Sequence, residues 1–218
     1  MRRAKNQSKE EYTEFLSEKA VPILEEWIDR IKSDQLLEPK AVYGYFPCGR
    51  DGNKILVFDP KTNILLGSFN LPRQKSGNQY CVSDFYRDIV RGQPTDILPM
   101  QAVTMGSKAS LFAQELFVSN SYSDYLYFHG LAVQLAEALA EHVHSIIRIE
   151  CGFKNEEPSE LKDILAQRYR GSRYSFGYPA CPNVSDSRQQ LTWLNASEID
   201  LTMDEGDQLH PEQSTTAL

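Results

Sequence analysis

The segment RYRGSRYSFGYPACP (residues 168–182) concentrates side chains suited to recognising a small molecule. Eleven of its fifteen residues are Arg, aromatic, Gly or Pro. A guanidinium grips a carboxylate through a bidentate fork. Glycine lets a ligand approach the backbone closely, and the rings of Tyr and Phe offer flat faces to another ring or to a cation. Gly171, Gly177, Pro179 and Pro182 oppose a helix here. Backbone N–H and C=O groups then stay open to read a purine edge or an amino-acid head group. The same composition suits a structural loop whose aromatics pack on the core, and the residues alone leave both readings open.

Other chemistries find less support. His142 and His144 are two apart and point to different faces of a helix, so no metal pair is expected from them. His129 and His210 have no evident ligand partner. There is no GxSxG, GxxxxGK[ST], HExxH or GxGxxG pattern. Cys181 could act as a nucleophile, but no nearby His or Asp supports its activation, and a structural thiol is the alternative. No catalytic residue and no resident metal are expected. The four cysteines, Cys48, Cys81, Cys151 and Cys181, are scattered without a CxxC pair, which suits reduced thiols in a cytoplasmic protein. A net charge of −7 and a pI near 5.2 argue against sequence-independent nucleic-acid binding. No apolar run approaches the roughly 18 residues of a membrane helix. The basic start MRRAKNQSKEEY is not followed by the apolar stretch of a secretory signal.

These candidates need elements to position them. At 218 residues the chain is most simply one domain with a sizeable core. Tyr12, Phe15, Leu16, Ile23, Leu24, Trp27, Ile28 and Ile31 recur at helical spacing from near Ser8, with Pro22 set to kink or divide the helix. AVYGYFPC, KILVFD and NILLGSFN read as three strands of an antiparallel meander, separated by the turn-like GRDG and DPKTN. DILPMQAVTMG is a further strand, with Pro99 marking an edge or bulge. Helices are expected over residues 108–118, 122–149, 159–168 and 185–194. The longest carries an apolar stripe of Phe128, Leu131, Leu135, Leu139, Val143 and Ile146, and Cys151-Gly152 ends it. Helix, strands, helices, irregular segment and helix in that order indicate an α+β fold rather than alternating βαβ units. Acidic residues crowd the last thirty positions, where no Lys or Arg follows Arg188, and STTAL opens a strand that does not continue. The chain is therefore expected to be one domain over residues 1–218, cut at both ends from a longer polypeptide.

Several stretches together resemble the activation (reactivation) domain of cobalamin-dependent methionine synthase. The S-adenosylmethionine-binding signature of that family is an Arg, three variable residues, Gly-Tyr and then Pro-Ala-Cys-Pro. Here it is Arg173, Tyr174-Ser175-Phe176, Gly177-Tyr178 and Pro179-Ala180-Cys181-Pro182. AEALAEHVH (residues 136–144), LPRQ (71–74), YCVSDF (80–85) and VYGYFPC (42–48) are similar to other family stretches and occur in the same order. The resemblance implies a C-shaped domain with a bent antiparallel sheet flanked by helices. It implies that Arg173 meets the carboxylate of the ligand and that Ser175, where the family often has Ala, contributes backbone contacts. Gly177 would permit close approach, Tyr178 would stand at the junction of ligand and corrin, and Glu137 would hydrogen-bond the ligand. The family's upstream acidic residue and its downstream strand are expected to lie outside this sequence.

The activity implied by the resemblance is repair. A cob(II)alamin formed by accidental oxidation is reduced by flavodoxin or an equivalent reductase and remethylated from S-adenosylmethionine, the cobalamin being carried by a partner domain in the same or a separate chain. The domain would serve a methyltransferase that methylates homocysteine, with no turnover of its own. Two rivals accompany this reading. One is a stand-alone binding module with another ligand, and the other a thiol enzyme using Cys181.

Overall fold

In a computed structural model, residues 8–218 are described, and the basic start at residues 1–7 lies outside them. The first helix opens at a capping box: Ser8 Oγ accepts from the Glu11 N–H, and Glu11 returns a carboxylate to the Ser8 N–H. Helix α1 (Lys9–Phe15) passes through a π-helical turn (Leu16–Ala20) into α2 (Val21–Ser33). The wide turn falls just before Pro22, which lacks an N–H to donate, so the expected division occurs there.

Strands β1 (Lys40–Asp51), β2 (Lys54–Phe58) and β3 (Leu65–Asn70) form the expected meander, and β4 (Asp96–Thr104) pairs on the other side of β1. Residues 40–48 of β1 pair with β4 and residues 48–51 with β2, so Cys48 alone faces both. Helices α3 (Ser107–Val118), α4 (Tyr122–Arg148), α5 (Leu161–Leu165) and α6 (Asp186–Trp193) follow. The chain ends with a small hairpin, β5 (Thr202–Met203) and β6 (Leu209–His210), and strand β7 (Ser214–Ala217). The main sheet is antiparallel throughout, in the order β3-β2-β1-β4-β7. STTAL does form a strand, because β4 supplies it with a partner. Pro99 lies where β4 has no second neighbour, since β7 reaches only Gln101–Thr104.

Two layers cover the sheet. Leu98, Met100 and Ala102 of β4 join Phe46, Cys48, Ile55, Val57 and Phe69 in a core closed by Phe176, Cys181, Leu191 and Leu194. On the opposite face Val103 packs on Ala140, Val143 and Ile147 of α4. A third cluster joins Trp27 and Ile31 of α2 to α3 and to Phe128 and Ala136 of α4. The expected apolar stripe of α4 is rotated. Phe128, Ala132, Ala136, Ala140 and Val143 are buried, whereas Leu131, Leu135, Leu139 and Ile146 are only half-buried. A row of alanines at i, i+4 lets the helix lie close against its neighbours, and the leucines fill its flanks. A wide turn from Ile149 extends α4, and Gly152, with φ 93°, breaks the helical path where the sequence placed its end. Helix α5 is shorter than expected, because Gln167 adopts φ 52° and ends it early.

Candidate functional site

The signature segment crosses the β7 edge of the sheet. At the crossing the Tyr174 N–H donates to Leu218 O (3.3 Å) and the Leu218 N–H donates to Tyr174 O (2.9 Å), so the segment continues the ladder beyond β7. On one side Arg173 reaches α4. On the other, Phe176 is buried with its ring 5.1 Å from that of Phe69. A tight turn follows: the Gly177 N–H donates to Cys181 O (2.8 Å) and the Cys181 N–H to Tyr178 O (2.9 Å). Gly177 takes φ 95°, in the region that favours glycine. The buried Phe176 and Cys181 anchor the turn, and they leave Tyr178 66% exposed at its tip.

Residues 71–95, between β3 and β4, brace the other flank. Arg73 donates both Nη groups to Asp84 (2.6 and 2.7 Å), and Arg50 bridges Asp84 and Asp88. The Arg73 guanidinium, helped by the Cys81 N–H, holds the Asp84 carboxyl well below the usual carboxylate range. The exposed Phe85 from this loop stacks on Tyr174 with ring centroids 6.3 Å apart.

A cleft of about 290 Å³ opens where the segment leaves the ladder. Ser175, Phe176 and Tyr178 form one wall, and Met203, Gln208 and Leu209 of the small hairpin form another. The floor is the outer edge of β7. Because the Met105 N–H bonds Gln213 O, alternation along the ladder directs the backbone groups of residues 213, 215 and 217 toward β4. Those of Thr216 point outward, toward the cleft.

Outside the cleft lining, two arginines meet the carboxylates of α4 on different terms. Arg148, with a side chain only 4% exposed, donates to both oxygens of Glu157 (2.5 and 2.8 Å), to Glu141 (3.3 Å) and to His144 Nδ1 (2.6 Å), and it lies 3.7 Å from the ring centre of Tyr169. Arg173 makes ion pairs of 3.5 Å with Glu137 and 3.4 Å with Glu141, and among the described residues no hydrogen bond reaches its guanidinium. Arg148 thus commits four of its five N–H donors, while Arg173 keeps donors to offer. Burial, with Arg148 and Arg173 close by, pushes His144 down to about 3, so it stays neutral.

Of the residues named from sequence, Arg173 and Glu137 meet each other, and Ser175 and Tyr178 line the cleft, with Gly177 between them in the chain. Ser175 is at most about 7 Å of chain from Arg173. Sequence reading missed Glu141, Arg148, Glu157 and Tyr169 as one network. The available signal was Glu141, four residues after Glu137 and so on the same helical face. Cys181 is 1% exposed, and burial pushes its thiol up to about 11, both of which oppose thiolate chemistry. Among the described residues no His, Cys, Asp or Glu cluster could hold a metal ion, and no helix is long and apolar enough to cross a membrane.

The chain is similar to known proteins, to some in sequence and to a solved structure in fold. The methionine synthase of Mycobacterium tuberculosis (strain ATCC 25618 / H37Rv) is 42% identical over 219 residues, covering 94% of this chain and 18% of that protein. The methionine synthase of Mycobacterium leprae (strain TN) is 40% identical over 218 residues, with the same coverages of 94% and 18%. The chain therefore spans about a fifth of the length of these curated relatives. A crystal structure of the MetH reactivation domain bound to AdoHcy superposes with a TM-score of 0.83 at 24% identity, over 94% of this chain and 68% of that one. The fold is shared with that domain. The sequence profile of one family, described as "Vitamin B12 dependent methionine synthase, activation domain", matches residues 3–218, and the chain belongs to that family.

Proposed function

We propose that the chain binds S-adenosylmethionine across Glu137, Arg173, Ser175, Gly177 and Tyr178 and presents it to a cobalamin-loaded domain. The carrying observation is the Arg173 guanidinium, held beside Glu137 by an ion pair yet without a hydrogen bond among the described residues. An amino-acid head group complements that pair, with its carboxylate on Arg173 and its ammonium on Glu137. The cleft beyond Ser175 then accommodates the nucleoside, where the outward backbone groups of Thr216 and the ring of Tyr178 offer polar and flat contacts. The structural neighbour bound to AdoHcy supports a ligand of this chemistry.

When bound, the sulfonium supplies a methyl group on a good leaving group, so the chain needs no general base. Its residues fix position: Arg173 and Glu137 hold one end of the ligand, Gly177 admits its close approach, and Tyr178 marks the face turned to the partner. The larger activity in this reading is that of methionine synthase, with the cobalamin domain in the same or a separate chain. Flavodoxin or an equivalent reductase supplies the electron, in the cytoplasm.

Calorimetric titration with S-adenosylmethionine tests the site. Arg173→Ala is expected to cost about 1.5–3 kcal/mol of binding, the range for a hydrogen bond to a charged group, with an unchanged circular dichroism spectrum. Equal affinities for wild type and variant would remove Arg173 from the site, and no binding by the wild-type chain would remove the ligand.

A further inference from the structure

Glu137 and Glu141 both pair with Arg173, but they stand differently. The Glu137 side chain is 48% exposed and Arg173 is its sole ion-pair partner among the described residues. Glu141 is 25% exposed, and both of its oxygens are committed. Oε1 accepts from Arg148 Nη1 at 3.3 Å, and Oε2 accepts from the Tyr169 hydroxyl at 3.1 Å while facing Arg173 Nε at 3.4 Å. Arg148 and Tyr169 are fixed in turn, by Glu157, by His144 and by their own face-to-cation contact.

We propose that Glu141 is the positioning residue for Arg173: clamped by Arg148 and Tyr169, it engages the guanidinium through Nε and directs the Nη fork to the carboxylate of the bound ligand. The inference rests on the reading of the site as one for S-adenosylmethionine and adds a residue that touches no ligand atom. Its logic is preorganisation. A guanidinium on a flexible stem loses rotamer freedom when it binds, and a fixed carboxylate on its Nε removes part of that cost beforehand. Losing the clamp therefore weakens only what Arg173 binds, which is the carboxylate.

Decarboxylated S-adenosylmethionine keeps the sulfonium and the amine but lacks the carboxylate, and it separates this role from a general structural one. Both ligands are titrated calorimetrically against the wild-type chain and against Glu141→Gln and Tyr169→Phe, with circular dichroism on each. Glu141→Gln is expected to bind S-adenosylmethionine about tenfold more weakly and the decarboxylated compound as the wild type does. Tyr169→Phe should shift the first ligand about threefold, less than Glu141→Gln because Arg148 still holds the carboxylate, and leave the second unmoved. Equal losses for both ligands overturn the proposal, because a structural role or a direct contact with the amine would give them. Unchanged affinities overturn it too. Should Glu141→Gln fail to fold, Tyr169→Phe carries the comparison by the same criterion. A wild-type chain that binds neither ligand overturns the ligand reading and this inference together, whereas normal wild-type binding with equal losses in the variants overturns this inference alone.

Discussion

His144 sits neutral between Arg148 and the approach of Gly171, its Nδ1 taking a proton bond from Arg148 at 2.6 Å. Its folded value of about 3 lies below the ordinary 6.5, so the unfolded chain takes up a proton first as pH falls. Stability is present in full above 6.5 and is lost progressively toward 3. Carboxylates such as Glu157, held low by Arg148, add their losses only below their ordinary 4.5. The window between these two values therefore reports His144. Urea unfolding should show a loss of about 2–3 kcal/mol there, at 1.36 kcal/mol per pH unit, and His144→Gln should flatten the profile. A wild-type profile already flat in that window would show that the ring is not held neutral. Arg173 and Gly177 were singled out because they fit the signature of the family that the sequence resembles. Arg148 and Glu157 were not legible, since a lone arginine near a helix end reads as a solvated charge, and only folding brings the carboxylate of Glu157 to it.

At the scale of elements, α4 is the informative case. Its length and position were readable from periodicity, but its buried row was not. Hydrophobic bulk pointed to Leu131, Leu135 and Leu139, while the close approach demanded alanine at 132, 136 and 140. Small side chains carry a weak hydrophobic signal and a strong steric one. Ala136→Leu is accordingly expected to destabilise the fold by about 1–3 kcal/mol through overpacking, measured as a lower urea midpoint at constant slope. An unchanged midpoint would mean that α4 stands farther from α2 and α3 than described. The meander β1–β3 was readable because turn residues separate short apolar runs. The placement of β7 was not, since four residues with weak patterning become a strand only through β4.

For the molecule as a whole, burial sorts the four thiols. Cys48, Cys81 and Cys181 are buried and Cys151 is exposed. Native iodoacetamide treatment should modify Cys151 alone, and modification of the other three should follow the global unfolding transition. Native labelling of Cys181 would reopen its chemistry. The same outside-in logic applies to Tyr178, 66% exposed on a turn whose other side chains are anchored. In a mixture with a cob(II)alamin-loaded domain, S-adenosylmethionine and an electron donor, this chain should accelerate methylation, seen in the visible spectrum. Tyr178→Ala should slow that change by a larger factor than it weakens ligand binding. Parallel losses in both would place the ring in the ligand site and the docking face elsewhere.

The ladder contact between Tyr174 and Leu218 also sets an order of events during synthesis. A ribosome releases the signature some forty residues before it releases the strand edge that the signature leans on. A nascent chain halted before Ser214 has the arginine, the glycine and the tyrosine but no floor beneath them, and it should not retain a nucleoside ligand while still tethered. Translation arrest at successive codons would show ligand capture beginning only after β7 has cleared the exit tunnel.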